Sequence, residues 1–242
     1  MRKHPYQKLL ERKRTWTPVK PKRGVFKEGA EEAIKRAIAI RHMELPVGEF
    51  IREALKKEVP PLARQLLESN VQDEIKHDLA LGYIADAYSI KEDAKEELEA
   101  IRLRDAWISH PDHTITKALI AERTLFFVLL PFFRFNGCAA IRTVSADISR
   151  DEQIHVGCNS LVCAELGLSP SPSLDKLRKA TINWVMEPLG INTTDKYLDK
   201  NFWLDASDSL MYQGKAPTFS DTKAARMPAF FEHDNTNLPQ YA

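Results

Sequence analysis

Two short segments carry the residues best suited to chemistry, Glu74-Ile-Lys-His77 and Glu152-Gln-Ile-His155. In each, a carboxylate and an imidazole stand three positions apart, a spacing that puts both on one face of a helix about one turn from each other. Such a pair can grip one metal ion. The residues around them aim both pairs inward: Leu67, Asn70, Glu74, His77, Leu81 and Ile84 fall on one helical stripe, and Ile141, Ile148, Glu152, His155 and Val162 on another. Burying an unpaired carboxylate costs several kcal/mol or forces it to take up a proton, so inward-facing acids need a cation or strong partners. One Glu-x-x-His alone is an ordinary surface acid beside a core histidine; two in register with apolar stripes are not.

Two further acids meet the same criterion. Glu122 lies on the stripe Ile115, Ala118, Glu122, Leu125, Leu129, and Glu44 ends the stripe Ala33, Ala37, Ile40. The order Glu, Glu-x-x-His, Glu, Glu-x-x-His is the arrangement by which helical bundles hold carboxylate-bridged pairs of iron or manganese ions. The predicted metal ligands are therefore Glu44, Glu74, His77, Glu122, Glu152 and His155. Hard carboxylates with imidazoles suit iron or manganese and leave positions open for oxygen, whereas zinc is less natural.

Positioning six such residues requires long helices, and the chain supplies the pattern for them. Apolar residues recur at helical spacing through most of the first 165 positions, with only nine glycines and no useful strand alternation, so the fold class is all-α. A first helix is expected from about Lys27 to Glu44, interrupted by Pro46 and Gly48, and a second around Phe50 to Lys57. Pro60 and Pro61 suit the first turn of a longer helix that carries Glu74 and His77 to about Ala87. Ser89-Ile-Lys-Glu92 has the form of a capping box starting the next helix. Long helices follow around 114–136, with a kink at Pro131, and around 138–165, with Gly137 at the join. Past the break at Ser169-Pro-Ser-Pro-Ser173, shorter helices are expected around 173–187 and 194–213. Turn and coil residues prevail from Ala216, which divides the chain into a domain of residues 1–215 and a tail of residues 216–242.

Composition narrows the partners. At 242 residues and 43% apolar content the chain can bury the core of one domain. Thirty-five basic against 34 acidic residues give no global reason for a nucleic acid or membrane surface as partner. Cys138, Cys158 and Cys163 form no Cys-x-x-Cys pair and read as reduced, buried thiols. The opening Met1-Arg2-Lys3-His4-Pro5 is not followed by an apolar stretch, and the run Leu125 to Phe133 is too short to span a bilayer, so a cytoplasmic protein is expected.

These residues resemble the small, radical-generating subunit of class I ribonucleotide reductase, in particular a short form of the kind phages carry, which would place the chain in the cytoplasm of an infected bacterium. The resemblance covers most of the chain. It is most specific from Glu122-Arg-Thr-Leu-Phe126 to Ile148-Ser-Arg-Asp-Glu-Gln-Ile-His155; Trp16-Thr-Pro18 is similar to the family's Trp-x-Pro element and Phe230-Phe-Glu232 to its stretch before the tail. It implies a ferritin-like helical bundle whose dimetal-carboxylate centre reacts with an oxidant and passes an oxidising equivalent to a cysteine of a separate catalytic subunit. It also implies a homodimer, docking on the large subunit through the tail, and an internal relay through Asp151 and Trp16, linked to the metals by His77 or His155 and completed by the tail tyrosine Tyr241.

The departures from the family are informative. Four residues after the first ligand histidine, where many members carry the radical tyrosine, stands Leu81, and Tyr83 lies about 200° round the helix from it. By resemblance to tyrosine-less members the oxidising equivalent then resides on the metals, most simply a manganese/iron pair, with Fe/Fe or Mn/Mn as alternatives. The interval from Glu44 to Glu74 is one residue shorter than usual, which leaves Glu49 as a second candidate for the first ligand. A ferroxidase, or an oxidase with an apolar substrate against Leu81, Phe126 and Phe127, would use the same ligands without a radical path.

Overall fold

A computed structural model describes residues 3–57 and 59–212, and the elements follow in the order α1 (Pro5–Leu10), α2 (Glu31–Ala39), α3 (Glu44–Leu55), α4 (Pro61–Ala87), α5 (Lys95–Ser109), α6 (Thr114–Ala121), α7 (Phe127–Asn136), α8 (Ala139–Glu165), α9 (Pro172–Met186) and α10 (Lys200–Tyr212). A 3-10 turn (Ile40–Met43) joins α2 to α3, and a π turn (Glu122–Phe126) makes α6 and α7 one interrupted helix. Among the described residues there is no strand, only an isolated bridge between Gly190 and Asp199, so the fold is all-α as expected. No helix among them is long and apolar enough to cross a membrane.

Four helical units pack around one core: α3 lies against α4 and α6, and α8 against α4, α6 and α7. Large apolar side chains such as Ile51, Leu66, Phe132 and Phe133 fill it. Outside this bundle, α2 packs on α5 and α9, and α10 on α9 and the π turn. Cys138, Cys158 and Cys163 are free and buried as expected; burial pushes the Cys158 thiol up and that of Cys163 to about 11, which makes both poor nucleophiles.

Several boundaries differ from the sequence expectation. Pro46 and Gly48 do not end a helix; they sit inside α3, which starts at Glu44. Pro46 is the third residue of that helix, where a backbone N–H would have no intrahelical acceptor. Gly48 lies where α3 meets α4, and a Cβ there would stand 3.3 Å from the Cβ of Glu74. Ser89 is not an N-cap: it closes α4 at φ +54°, donating its N–H to the Asp86 carbonyl while the Ile90 N–H reaches the Ala85 carbonyl. That is the hydrogen-bond pattern of a Schellman C-cap. The next helix begins only at Lys95. Pro131 stays inside α7, and the irregularity lies upstream in the π turn.

Between α1 and α2 the chain forms an extended strap along α4. Lys13 reaches Asn70 and Asp73, Lys20 lies 5.3 Å over the Tyr83 ring, and the Gly24 backbone both donates to and accepts from the Tyr88 hydroxyl.

Candidate metal centre

Each unit of the bundle delivers part of one buried cluster: Glu44 from α3, Glu74 and His77 from α4, Glu122 from the π turn, Glu152 and His155 from α8, all fully buried. His77 Nδ1 lies 3.6 Å from Glu44 Oε2, 3.4 Å from Glu74 Oε2 and 3.2 Å from Glu152 Oε1. His155 Nδ1 lies 2.9 Å from Glu74 Oε1 and 3.7 Å from both Glu122 Oε1 and Glu152 Oε2. Two sets of ligand atoms result, Glu44, Glu74, His77, Glu152 and Glu74, Glu122, His155, with the atoms of each set within 4.8 Å of one another. Glu74 belongs to both, and Glu152 turns one oxygen to each histidine. Glu49 is at the surface, paired with Arg52, so the structure brings Glu44 and not Glu49 to the cluster.

The π turn explains how Glu122 points inward. Widening the helix there shifts its register by about one residue relative to the neighbouring α-helical turns. Ser207 Oγ donates to the Thr124 carbonyl within the turn at 2.8 Å, and the buried guanidinium of Arg178 holds Ser207 Oγ at 2.9 Å. Glu122 itself accepts from Asn159 Nδ2 at 2.6 Å.

The donor set fits a pair of metal ions. Among the described residues, both oxygens of Glu44, Glu74 and Glu152, Oε1 of Glu122 and Nδ1 of both histidines are buried with no partner in hydrogen-bond geometry. So many converging donor atoms left without one are what a cation would satisfy. Without metal, protons must do that work. Burial pushes Glu44 and Glu122 well above the ordinary carboxylate range. At Glu74 burial acts the same way, but the charges of the neighbouring His155 and His77 outweigh it and hold the carboxyl at about 2. Burial lowers the two histidines, yet the acids around them raise both well above the usual imidazole value.

Both imidazoles turn Nδ1 to the cluster and Nε2 away from it. His77 Nε2 lies 3.3 Å from Asp151 Oδ2, which accepts the Trp16 indole N–H at 2.7 Å, and the Trp16 ring stacks on His77 with centroids 6.1 Å apart. Burial would raise Asp151, but its hydrogen bonds to His77 and Trp16 hold it below the ordinary range. Of the two histidines, the structure joins His77 to Asp151 and gives His155 another partner, Asp73 Oδ2 at 3.0 Å. Asp73 and Asn159 were not anticipated from the sequence. Asp73 had a readable signal, since Asp-Glu-x-x-His occurs twice, at Asp73 and Asp151. Tyr241 and Phe230-Phe-Glu232 lie outside the described residues.

Leu81 is buried on the stripe of α4 that carries Glu74 and His77, and Tyr83 is half-buried under Lys20 on another face. Fold and donor set together define an all-α, ferritin-like bundle with a buried carboxylate–histidine cluster compatible with two metal ions. No family model matches the chain, and no curated protein matches it. Its structure is similar to the crystal structure of a candidate class I ribonucleotide reductase from Bacillus halodurans, with a TM-score of 0.58 over 95% of this chain and 98% of that one at 15% identity.

Proposed function

We propose that the chain is the small subunit of a class I ribonucleotide reductase, with Glu44, Glu74, His77, Glu122, Glu152 and His155 holding a dinuclear metal centre. With two ions bound, after activation by an oxidant, the centre would supply a one-electron oxidising equivalent for thiyl-radical formation in a separate catalytic subunit. The residues of this chain hold the ions, exclude water from them and connect them to the surface. The observation that carries the reading is the contact series from His77 through Asp151 to the half-buried Trp16. A ferroxidase has no need of an indole hydrogen-bonded through a carboxylate to a ligand histidine. Leu81 leaves no tyrosine at that position, so with the ions bound the oxidising equivalent would be held at the metal centre, for which a manganese/iron pair is the reading we favour. The tail, residues 216–242, docks on the large subunit, with Tyr241 completing the path, and two copies of the chain form the working dimer.

The test is metal analysis of protein produced with both manganese and iron, followed by nucleotide reduction with a class I large subunit. About two ions per chain are expected, one for each ligand set. Glu74→Ala and His155→Ala should lose or halve them, while Trp16→Phe keeps the metal and abolishes reduction. Metal retained in the two ligand variants sinks the centre; a loaded chain that neither binds a large subunit nor supports reduction leaves a ferroxidase or an oxidase.

A further inference from the structure

We propose that Asp73, anchored by Lys13, is a positioning residue for His155, forming a second aspartate–histidine unit beside the one that Asp151 forms with His77. The inference rests on the metal-centre reading above and adds to it a residue outside the ligand set. Asp73 is only 4% exposed. Its Oδ2 faces His155 Nε2 at 3.0 Å and also receives the Lys13 ammonium, and its Oδ1 lies 2.6 Å from Lys76 Nζ. An acceptor fixed at Nε2 keeps a hydrogen on that nitrogen, which leaves the Nδ1 lone pair for a metal and locks the plane of the ring.

The two units cross between helices. Asp73 precedes Glu74 on α4 but holds the histidine of α8, whereas Asp151 precedes Glu152 on α8 but holds the histidine of α4. Both aspartates are anchored by the strap, which presents Lys13 to one and Trp16 to the other, three residues apart. The anchors differ in kind: ammonium groups from Lys13 and Lys76 on Asp73, a neutral indole N–H on Asp151 with Lys76 further off at 3.7 Å. The unit at His155 therefore positions a ligand without offering an aromatic path outward, which separates its role from that of Trp16 and Asp151.

The experiment is a Mn(II) titration of the metal-free, full-length protein, followed by electron paramagnetic resonance, which counts free ion and distinguishes an exchange-coupled pair from an isolated bound ion. Wild type should bind two ions as a coupled pair. Asp73→Ala should weaken one of them by about 10–100-fold and give an isolated-ion spectrum at low loading. Asp73→Asn keeps the shape and an acceptor for Nε2–H, so it should fall between, and Lys13→Met should weaken the same ion less. Circular dichroism checks that each variant keeps its helices. Asp73→Ala binding two ions as tightly as wild type does, or both ions lost equally in the folded variants, would overturn the proposal while leaving the metal centre standing. A wild-type chain that binds no Mn(II) would remove the centre and this inference together.

Discussion

A buried acid stays charged where its cationic partners outweigh the cost of burial, and the chain contains both outcomes. Glu97, 1% exposed, has dedicated partners: Arg41 Nη1 at 2.8 Å and His42 Nε2 at 2.7 Å. Burial pushes its carboxyl up, but these hydrogen bonds and charges prevail and hold it at about 2. Glu44 and Glu122 share their imidazoles with other acids and stay protonated well above the ordinary range. The consequence for stability has a definite sign. A carboxyl whose folded pKa lies below its unfolded value near 4.5 contributes stability that is complete above that value and is lost as the pH falls through about 2. Glu97→Gln, which leaves Arg41 without its charge partner, is expected to cost about 3 kcal/mol at pH 7. Urea unfolding of both proteins should show this gap shrinking between about pH 4.5 and pH 2; a gap of the same size at pH 3 as at pH 7 would mean that Glu97 acts through packing and not charge.

At the scale of elements, the ligand helices were legible because their apolar stripes run unbroken on both sides of the acids, as from Leu67 to Ile84 and from Ile141 to Val162. The joints were not legible, because short-range signals there have two readings. Ser89 with Glu92 reads as an N-cap from spacing alone, yet the Schellman bonds of α4 claim Ser89 as its C-terminal cap. Pro46 and Gly48 read as breakers, although a proline in the first turn and a glycine at a helix crossing are both compatible with helix. The π turn at Glu122 leaves no mark in the apolar pattern, since it re-aims a single turn. The crossing at Gly48 supplies a prediction that no propensity scale contains. A valine there places a branched side chain against the Cβ of Glu74, 3.3 Å from the first added carbon, and drives α3 from α4 at the point where Glu44 and Glu74 must converge. Gly48→Val is expected to cost about 1–3 kcal/mol from overpacking. Metal content should drop at least by half, as measured on folded protein, whereas a variant that keeps both ions would show that the two helices can separate without moving the ligands.

The whole molecule presents one more feature that its own core does not use. On the outer side of α4, Ile75 and Leu79 are 43% and 44% exposed and stand one turn apart, and the space over Gly82, the next position on that stripe, is open. Exposed aliphatic residues scattered singly are ordinary, but a pair in register beside an open glycine makes a narrow apolar strip along a helix of 27 residues, about 40 Å long. Ile75 lies between Glu74 and Lys76 in sequence, so whatever covers this strip also braces the helix that carries Glu74 and His77. A second copy of the chain, applied through the same strip about a two-fold axis, would match it aliphatic to aliphatic. The expected outcome is a dimer in sedimentation velocity at micromolar concentration, converted to a monomer by the double substitution Ile75→Lys and Leu79→Lys. Neither side chain lies in the core, so the substituted protein should keep its helical signal and bind metal as the wild type does. A dimer that survives both lysines would move the subunit contact to another face, and a wild-type monomer at that concentration would leave the strip for a different partner.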